Sequence, residues 1–266
     1  MEKIICLFFI YAFLGWCTEV IYAGVNRGVF VNRGFLNGPI CPIYGFGVLT
    51  VLICLLPLHE NLLLLYVGSV VLTSLLELLS GFLMEKFFHQ RWWDYSDEPF
   101  NIGGYICLKF SLLWGFACVL IVEVVHPLIN QVLASVPDRL SLPFLLVFSS
   151  VFVIDNVVTV VTVAKLNQRL QQLDEVARAL RRVSDAFGSV AADGSIALSD
   201  ANEKLREDLR AKHEELIALI HMEQKRLLNA FPNIQSRKHR EVMEEIKAHV
   251  RKKLEKKYVQ YRSRRF

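Results

Sequence analysis

The first 164 residues carry little charge, and the chain has no cysteine pairing motif. Residues 1–164 hold only 7 Lys and Arg against 11 Asp and Glu, whereas residues 165–266 hold 23 and 15. All six cysteines lie in or beside apolar runs, and no CxxC or Cys/His cluster occurs. Isolated thiols in such runs usually behave as small hydrophobic side chains. These absences exclude a disulfide scaffold, a cysteine-based metal site and a disordered first segment.

Long apolar runs make up most of the first segment. The chain is 53% hydrophobic, with a mean hydropathy of +0.37. A helix needs ~20 mostly apolar residues to cross a hydrocarbon core of ~30 Å. Residues 1–164 therefore predict an all-α, polytopic membrane helix bundle of about five transmembrane helices. The stretches that reach or approach the required length, of which the second is the shortest, are 4–25, 42–58, 62–83, 106–129 and 143–164.

The charges of the short loops predict the orientation. The loops after the first and third runs carry Arg27, Arg33, Lys86 and Arg91, whereas the other two loops share a single arginine. Short cytoplasmic loops carry an excess of Lys and Arg. We therefore expect the N-terminus outside and the C-terminus in the cytoplasm, in a multi-pass membrane protein.

Residues 165–266 predict a basic, cytoplasmic, coiled-coil-like helical tail. Apolar residues recur at spacings of three and four in stretches that begin at Leu166, Leu205 and Val242, as in amphipathic helices. The Gly- and Ser-containing stretch 184–199 predicts a break after the first of them. The last sixteen residues, 251–266, hold eight Lys and Arg against one Glu. That composition suits a solvated arm or anionic lipid headgroups, and nucleic acid is the least favoured partner.

Four acidic side chains lie within the predicted spans: Glu19, Glu77, Glu123 and Asp155. Ionisable groups inside a bilayer cost ~2.5–3.5 kcal/mol on insertion scales, which makes each a functional candidate. At ~1.5 Å per residue, Glu19 and Glu77 lie ~22 Å and Asp155 ~18 Å from the outer edge. The shared depth predicts a polar chamber open to the cytoplasm, with Trp16 on the helical face of Glu19. Alternatively, each carboxyl group bonds to a Ser, Thr or Tyr of a neighbouring helix and only fixes packing.

The loop at residues 32–47 has more turn residues than a connector needs. Its glycines permit positive φ and close backbone approach, and its prolines stiffen the path. Non-helical backbone at membrane depth occurs where it is buried in protein or lines a wet cavity. We therefore predict a re-entrant or cavity-lining loop, whose candidate pathway residues are Arg33, Gly34, Asn37, Gly38, Pro39, Tyr44 and Gly45.

The loop that follows the third run combines aromatic, polar and glycine residues. Aromatic side chains are enriched at membrane interfaces, but that preference does not explain the polar residues and glycine nearby. His89, Asp94, Asp97 and Glu98 are ligand types for a hard cation, yet their spacing matches no known metal loop. We predict no metal and no other cofactor. The candidate pathway residues here are Trp92, Trp93, Asp94, Tyr95, Asn101 and Gly104.

Several motifs together resemble a known family. They are Gly15-Trp16 with Glu19, Asn32-Arg33-Gly34-Phe35-Leu36, Gly38-Pro39, Pro42-Ile43-Tyr44-Gly45, Trp92-Trp93-Asp94-Tyr95-Ser96, and Ser111 with Trp114-Gly115. Over residues 4–160 the chain resembles bacterial five-helix membrane proteins named as ABC-transporter permeases, type IV or CmpB-like. The resemblance implies a membrane bundle of the bacterial cytoplasmic membrane with a role in transport, and it adds Trp114 to the candidate pathway residues. Glu77 and Asp155 belong to those candidates as carboxylates within the predicted spans.

The favoured function is a transporter permease subunit that moves a solute across the membrane. No Walker A pattern, GxxxxGK[ST], occurs, so ATP hydrolysis would need a separate ATP-binding subunit. Five helices would suffice only within a homo- or hetero-oligomer.

Two alternatives stay open. The first is an intramembrane enzyme acting on a lipid-linked substrate at the cytoplasmic leaflet, with Glu19 or Asp94 as general acid/base and Arg33 holding a phosphate. No recognised catalytic constellation supports it, so we do not favour an enzyme. The second is a membrane scaffold that acts through the helical tail.

Overall fold

The computed structural model describes residues 2–135, 138–193 and 199–250, and it forms two compact units. The first contains the residues up to Val161 together with Asn229–Ile234, and the second contains Thr162–Leu228 and the residues from Gln235 onward. The sequence places the domain boundary between residues 164 and 165. It gives no sign that the short segment Asn229–Ile234 belongs with the first unit.

The first unit is a helix bundle, as predicted. Its helices are α1 (Glu2–Arg27), α2 (Pro42–Leu55) with a 3-10 turn (Leu56–Leu58), α3 (Leu62–Phe88), α4 (Leu108–Leu120), a π-helical segment (Ile121–Val125), α5 (His126–Ala134) and the first part of α6 (Asp138–Asp193). Short strands β1 (Gln90–Arg91), β2 (Asn101–Ile102) and β3 (Ile106–Cys107) lie between α3 and α4, and β2 pairs antiparallel with β3.

Four described helices are long and apolar enough to cross a membrane: Glu2–Arg27, Leu62–Phe88, Leu108–Ala134 and Leu142–Asp185. The remaining predicted span corresponds to a shorter apolar helix, Pro42–Leu58. The membrane helix bundle is therefore confirmed. Five full crossings and the direction of insertion stay predictions.

Local sequence explains where α2 and α3 begin. Pro42 occupies the first turn of α2, where its missing N–H costs nothing because that group has no helical partner. Asn61 caps α3 by accepting a hydrogen bond from the Leu64 N–H at 3.1 Å. The Asn61 cap thus ends the short connection between α2 and α3.

The core of the first unit lies where α1, α2, α3 and α4 meet. Its buried members are Leu7, Tyr11, Val48, Val51, Leu52, Leu55, Leu65, Cys118 and Val122. Glycines allow the helices to approach closely at this core. A Cβ at Gly45 of α2 would lie 2.7 Å from the Phe8 ring and 2.8 Å from the Phe8 carbonyl oxygen of α1. Close packing of small residues is the usual means of helix association in membranes.

The second unit buries the apolar stripe of the tail. It continues with α7 (Ser199–Glu223), α8 (Lys225–Ala230), strand β4 (Gln235–Ser236) and helix α9 (residues 240–250). An ion pair joins Arg181 of α6 to Glu241 of α9 at 2.6 Å. The buried side chains include Leu166, Leu170, Leu173, Ile217, Ile220, Met243 and Ile246. Coiled-coil pairing with another chain stays a prediction.

The stretch 184–199, for which the sequence predicts a break, contains the end of α6 at Asp193 and the start of α7 at Ser199. Gly188 lies within α6, because a single glycine costs a helix only about 1 kcal/mol. The basic stretch 251–266 lies outside the described residues.

We predict that Gly45→Ala destabilises the bundle, whereas Gly47→Ala in the same helix does not. The Gly45 methyl group would overlap both the ring and the backbone of Phe8, while no atom lies within 4 Å of a Cβ at Gly47. Overpacking of this kind costs about 1–3 kcal/mol. SDS-induced unfolding of the purified protein measures the difference, and equal stability of the two variants would contradict this packing.

Candidate functional site

The site begins with an ion pair between the first helix and the loop that follows it. Arg33 Nε lies 3.3 Å from Glu19 Oε2, and both side chains are about three-quarters buried. The Tyr44 hydroxyl donates to Glu19 Oε1 at 2.7 Å. The Arg33 guanidinium also lies 5.1 Å from the centre of the Tyr22 ring. Glu19 therefore has both a neutralising charge and a hydrogen-bond donor.

The same loop is fastened to α1 through an asparagine. The Trp16 indole donates to Asn32 Oδ1 at 2.7 Å, and the Gly34 backbone N–H donates to the same oxygen at 3.0 Å. The Asn32 amide in turn donates to the Asn37 carbonyl oxygen at 2.8 Å. A Cβ at Gly34 would lie 3.1–3.2 Å from Asn32 and Trp16. Gly34 thus allows the loop to lie against the indole.

Asp155 of α6 holds the opposite side of this loop. Its Oδ1 accepts from the Asn37 backbone N–H at 3.0 Å and from the Asn37 amide at 2.9 Å, while its Oδ2 accepts from the Gly38 N–H at 2.7 Å. The Thr159 hydroxyl lies 3.2 Å from the Asn37 amide. Hydrogen bonds to a charged acceptor are roughly twice as strong as neutral ones, so Asp155 is the main anchor of the loop on α6.

Glu77 of α3 contacts the loop between α3 and α4, residues 89–107, which we call the second loop; the first loop is residues 28–41, between α1 and α2. The Tyr95 hydroxyl donates to Glu77 Oε1 at 3.2 Å, and the Trp114 indole of α4 lies beside the same carboxylate. Burial and then the nearby Glu77 charge raise the pKa of Tyr95 well above its usual range, so the phenol stays neutral and acts as a donor. The Tyr95 ring stacks on Phe110 at 4.8 Å.

The two carboxylates belong to one group of side chains. Tyr44, which bonds to Glu19, packs edge-on against Trp114 with ring centres 5.7 Å apart. Tyr95, which bonds to Glu77, also lies within electrostatic reach of Glu19 and Tyr44. We call this group the polar cluster; it comprises Glu19, Arg33, Tyr44, Glu77, Tyr95 and Trp114.

The remainder of the second loop is held by its own side chains. Asp94 Oδ1 accepts from the Ser96 hydroxyl at 2.6 Å and the Ser96 N–H at 3.0 Å, and it pairs with Arg91 at 3.4 Å. Partial burial acts to raise the pKa of Asp94, but the Ser96 hydrogen bonds and the Arg91 charge outweigh it and hold that pKa below its usual value. Arg91 also bonds to Glu85 at 3.0 Å.

The backbone conformation at Gly104 completes the second loop. Gly104 has φ +72° and donates its N–H to Asn101 Oδ1 at 3.2 Å, while its carbonyl accepts from the Tyr95 N–H at 2.8 Å. A side chain at Gly104 would be strained in this left-handed conformation and would meet Asp94. The Asn101 amide donates to the Glu98 carbonyl at 2.9 Å. Asp94, Asn101 and Gly104 therefore shape the loop that presents Tyr95.

The two tryptophans of the second loop have separate contacts. Trp92 is 3% exposed and packs against Phe35 at 5.0 Å and Phe231 at 4.9 Å. The Phe231 contact explains why Asn229–Ile234 belongs to the first unit. The Trp93 indole donates to the Tyr105 carbonyl oxygen at 2.9 Å.

Some of the candidate residues from the sequence lie together in the structure, and others do not. The structure brings together Glu19, Arg33, Tyr44, Glu77, Tyr95 and Trp114, but the hydrogen bonds of Asp155 go to the first loop instead of to the two glutamates. Pro39 is exposed, and Gly45 packs on Phe8. Within the described ranges, no group of three or more His, Cys, Asp or Glu side chains could hold a metal ion.

Sequence reasoning passed over several residues that complete these loops. Asn32 receives both the Trp16 and Gly34 bonds, and the Tyr105 hydroxyl donates to Glu85 at 2.7 Å. Asn32 stands beside Arg33 in the loop motif, so its position in the sequence could have identified it as a site residue. Nothing in the sequence identifies Glu85, because a carboxylate in the last turn of a span also suits a solvated helix end.

We predict that Asp155→Asn frees the first loop. The amide nitrogen would face donors at Asn37 and Gly38, and at least one charge-assisted hydrogen bond would be lost, at about 1.5–3 kcal/mol. Hydrogen exchange at the Asn37 and Gly38 amides should therefore quicken about tenfold or more. Ser150→Ala is the control, because the exposed Ser150 hydroxyl bonds only to its own helix, at the Leu146 carbonyl. Unchanged exchange in Asp155→Asn would disprove the anchor.

We also predict an acid-dependent loosening of the second loop. Because the pKa of Asp94 is lowered on folding, the carboxylate stabilises the folded loop at any pH above its ordinary value of about 3.9. This contribution is lost only as the pH falls through the lower folded value. Protection of the Ser96 amide, corrected for intrinsic exchange, should be flat from pH 8 to pH 5 and decline below about pH 4.

The variant Asp94→Asn should show the loosened loop already at neutral pH, whereas Asp97→Asn at the exposed neighbouring position should not. A loss of Ser96 protection between pH 7 and pH 5 in the unmodified protein would contradict this account.

Comparison with known proteins places the bundle in a family. Residues 6–160 match a family model described as "Putative ABC-transporter type IV". The match covers more than half of the chain and includes every residue of the polar cluster. No curated protein and no solved structure matches the chain. With its helices of membrane-spanning length and this match, the chain is a membrane protein that belongs to the ABC-transporter type IV, CmpB family.

Proposed function

We propose that the protein is the membrane subunit of a transporter in the bacterial cytoplasmic membrane, and that its solute passes the polar cluster. One observation carries the proposal. Two carboxylates from different helices, Glu19 of α1 and Glu77 of α3, lie in one group of polar and aromatic side chains within the bundle. Ionisable groups at such a depth are costly and usually mark a substrate or ion pathway.

The arrangement of the two loops supports a pathway more than a purely structural role. Arg33 comes from the first loop and Tyr95 from the second, so non-helical segments supply part of the cluster. Irregular backbone at membrane depth is tolerated where it is buried in protein or lines a cavity. Loop residues can also move without unwinding a helix, as a gate requires.

The family supports a transport role, and the energy source belongs to another subunit. Because the chain has no Walker A pattern, ATP would be bound by a separate subunit at the predicted cytoplasmic side, in a homo- or hetero-oligomer. The enzyme alternative gains little from the site. Asp94 Oδ1 already accepts bonds from Ser96 and Arg91, and both Glu19 oxygens face Arg33 or Tyr44.

Co-purification of the tagged full-length chain from native membranes tests the transport proposal. We expect an ATP-binding subunit to be recovered with it in a fixed ratio, and we expect ATP hydrolysis by the complex. A membrane protein of similar size carrying the same tag is the control for adventitious recovery. Repeated recovery of a homo-oligomer without an ATPase would overturn the proposal and favour the scaffold alternative.

A further inference from the structure

The charges of the polar cluster do not balance. Arg33 neutralises Glu19 at 3.3 Å. Glu77 has two neutral donors beside it, the Tyr95 hydroxyl and the Trp114 indole, and within the described ranges no Lys, Arg or His side chain pairs with it. An ionised Glu77 therefore gives the cluster one negative charge more than its own residues neutralise. In a low-dielectric interior such a charge costs several kcal/mol, which either a proton or a positively charged occupant removes.

One atom marks where the occupant would bind. Glu77 Oε2 is buried and has no hydrogen-bond partner, although Tyr95 bonds to the other oxygen of the same carboxylate. A buried acceptor without a donor costs about 1–3 kcal/mol, and more when it is charged. Nearly all buried polar atoms in native proteins have a partner. The free oxygen therefore indicates a ligand that brings an N–H or O–H donor.

Two aromatic side chains border this carboxylate, and each packs on a further ring. Trp114 lies beside Glu77 and packs on Tyr44 at 5.7 Å, and Tyr95 stacks on Phe110 at 4.8 Å. The faces of Trp and Tyr attract cations, with about 2 kcal/mol or more where water is excluded. Carboxylate and aromatic faces together suit a cation with an apolar surface.

Two other kinds of ligand fit the cluster poorly. A hard metal ion takes six or more oxygen ligands, whereas one free carboxylate oxygen is present and the described residues contain no metal-binding group of three. An anion would meet Glu77 without a free basic partner, since Arg33 is already paired with Glu19.

We propose that the polar cluster binds a monovalent organic ammonium ion, whose N–H donates to Glu77 Oε2 and whose charge lies against Trp114, Tyr44 and Tyr95. Glu19 and Arg33 form the neutral wall of the site. This inference rests on the proposed transport function, for which it names the substrate class.

Equilibrium binding to the purified full-length chain in lipid nanodiscs tests the inference. The probe is radiolabelled benzylammonium, with unlabelled benzyl alcohol, benzoate and tetramethylammonium as competitors. We expect competition by unlabelled benzylammonium, weaker competition by tetramethylammonium because it has no N–H, and none by benzyl alcohol or benzoate. No saturable benzylammonium binding, or equal competition by benzyl alcohol, overturns the proposal without any variant.

Glu77→Gln should weaken benzylammonium binding about tenfold or more, since a charge-assisted hydrogen bond is worth about 1.5–3 kcal/mol. Glu123→Gln is the matched control, because Glu123 lies exposed in the π-helical segment of another predicted span. Size-exclusion elution verifies that both variants remain folded. Equal affinity of Glu77→Gln and the unmodified protein overturns the site.

The two proposals can fail separately. Benzylammonium binding that depends on Glu77, without an ATPase in the native complex, keeps the site and removes the transporter assignment. An ATPase partner without benzylammonium binding keeps the transporter assignment and shows the substrate class to be wrong.

Discussion

The need of a buried carboxylate for donors governs the structure of the first unit. Water does not supply these donors inside a bilayer, so they must come from the protein. Glu19 obtains a cation and a tyrosine, and Asp155 obtains two backbone N–H groups and an amide. Both carboxylates bind the loop between α1 and α2, and Glu77 binds Tyr95 of the loop between α3 and α4. The carboxylates of the helices therefore order both long loops, whose glycines and turns bring donors to those oxygens.

Close helix packing makes these bonds available. Tyr44 bonds to Glu19 across the α1–α2 contact, where its ring occupies the space that a Cβ at Gly15 would fill. A Cβ at Gly115 of α4 would likewise meet Val70 of α3. Small residues thus determine both the helix separation and the reach of the polar side chains. A larger residue at Gly15 would displace Tyr44, which stabilises the buried Glu19 carboxylate. The helix packing at Gly15 and the hydrogen bonding of Glu19 therefore depend on each other.

The sequence predicted the helical bundle, because apolar run length depends on local sequence alone; the depth of the carboxylates stays a prediction. It placed Glu19 and Glu77 at one level, but it could not identify Tyr44 and Tyr95 as their donors, since that depends on which loops fold back between helices. Asp155 was grouped with the glutamates by depth, although its rotation about α6 turns it to Asn37 and Gly38. The stretch 184–199 was predicted to separate the first two tail helices, and α6 ends within it at Asp193; Gly188 does not end the helix because one glycine costs it little.

The unequal environments of Glu19 and Glu77 bear on how a transport site could work. A carboxylate that is fully paired, as Glu19 is, gains little from a solute and serves to shape the wall. A carboxylate with one bond from a loop tyrosine and one free oxygen gains much from a donor that arrives from outside. Tyr95 lies on a turn held by Asp94, Asn101 and Gly104, so its hydroxyl is positioned by a loop and not by a helix. A solute bound at the free oxygen of Glu77 would also contact Tyr95, so that binding would be coupled to the position of the loop that carries this tyrosine.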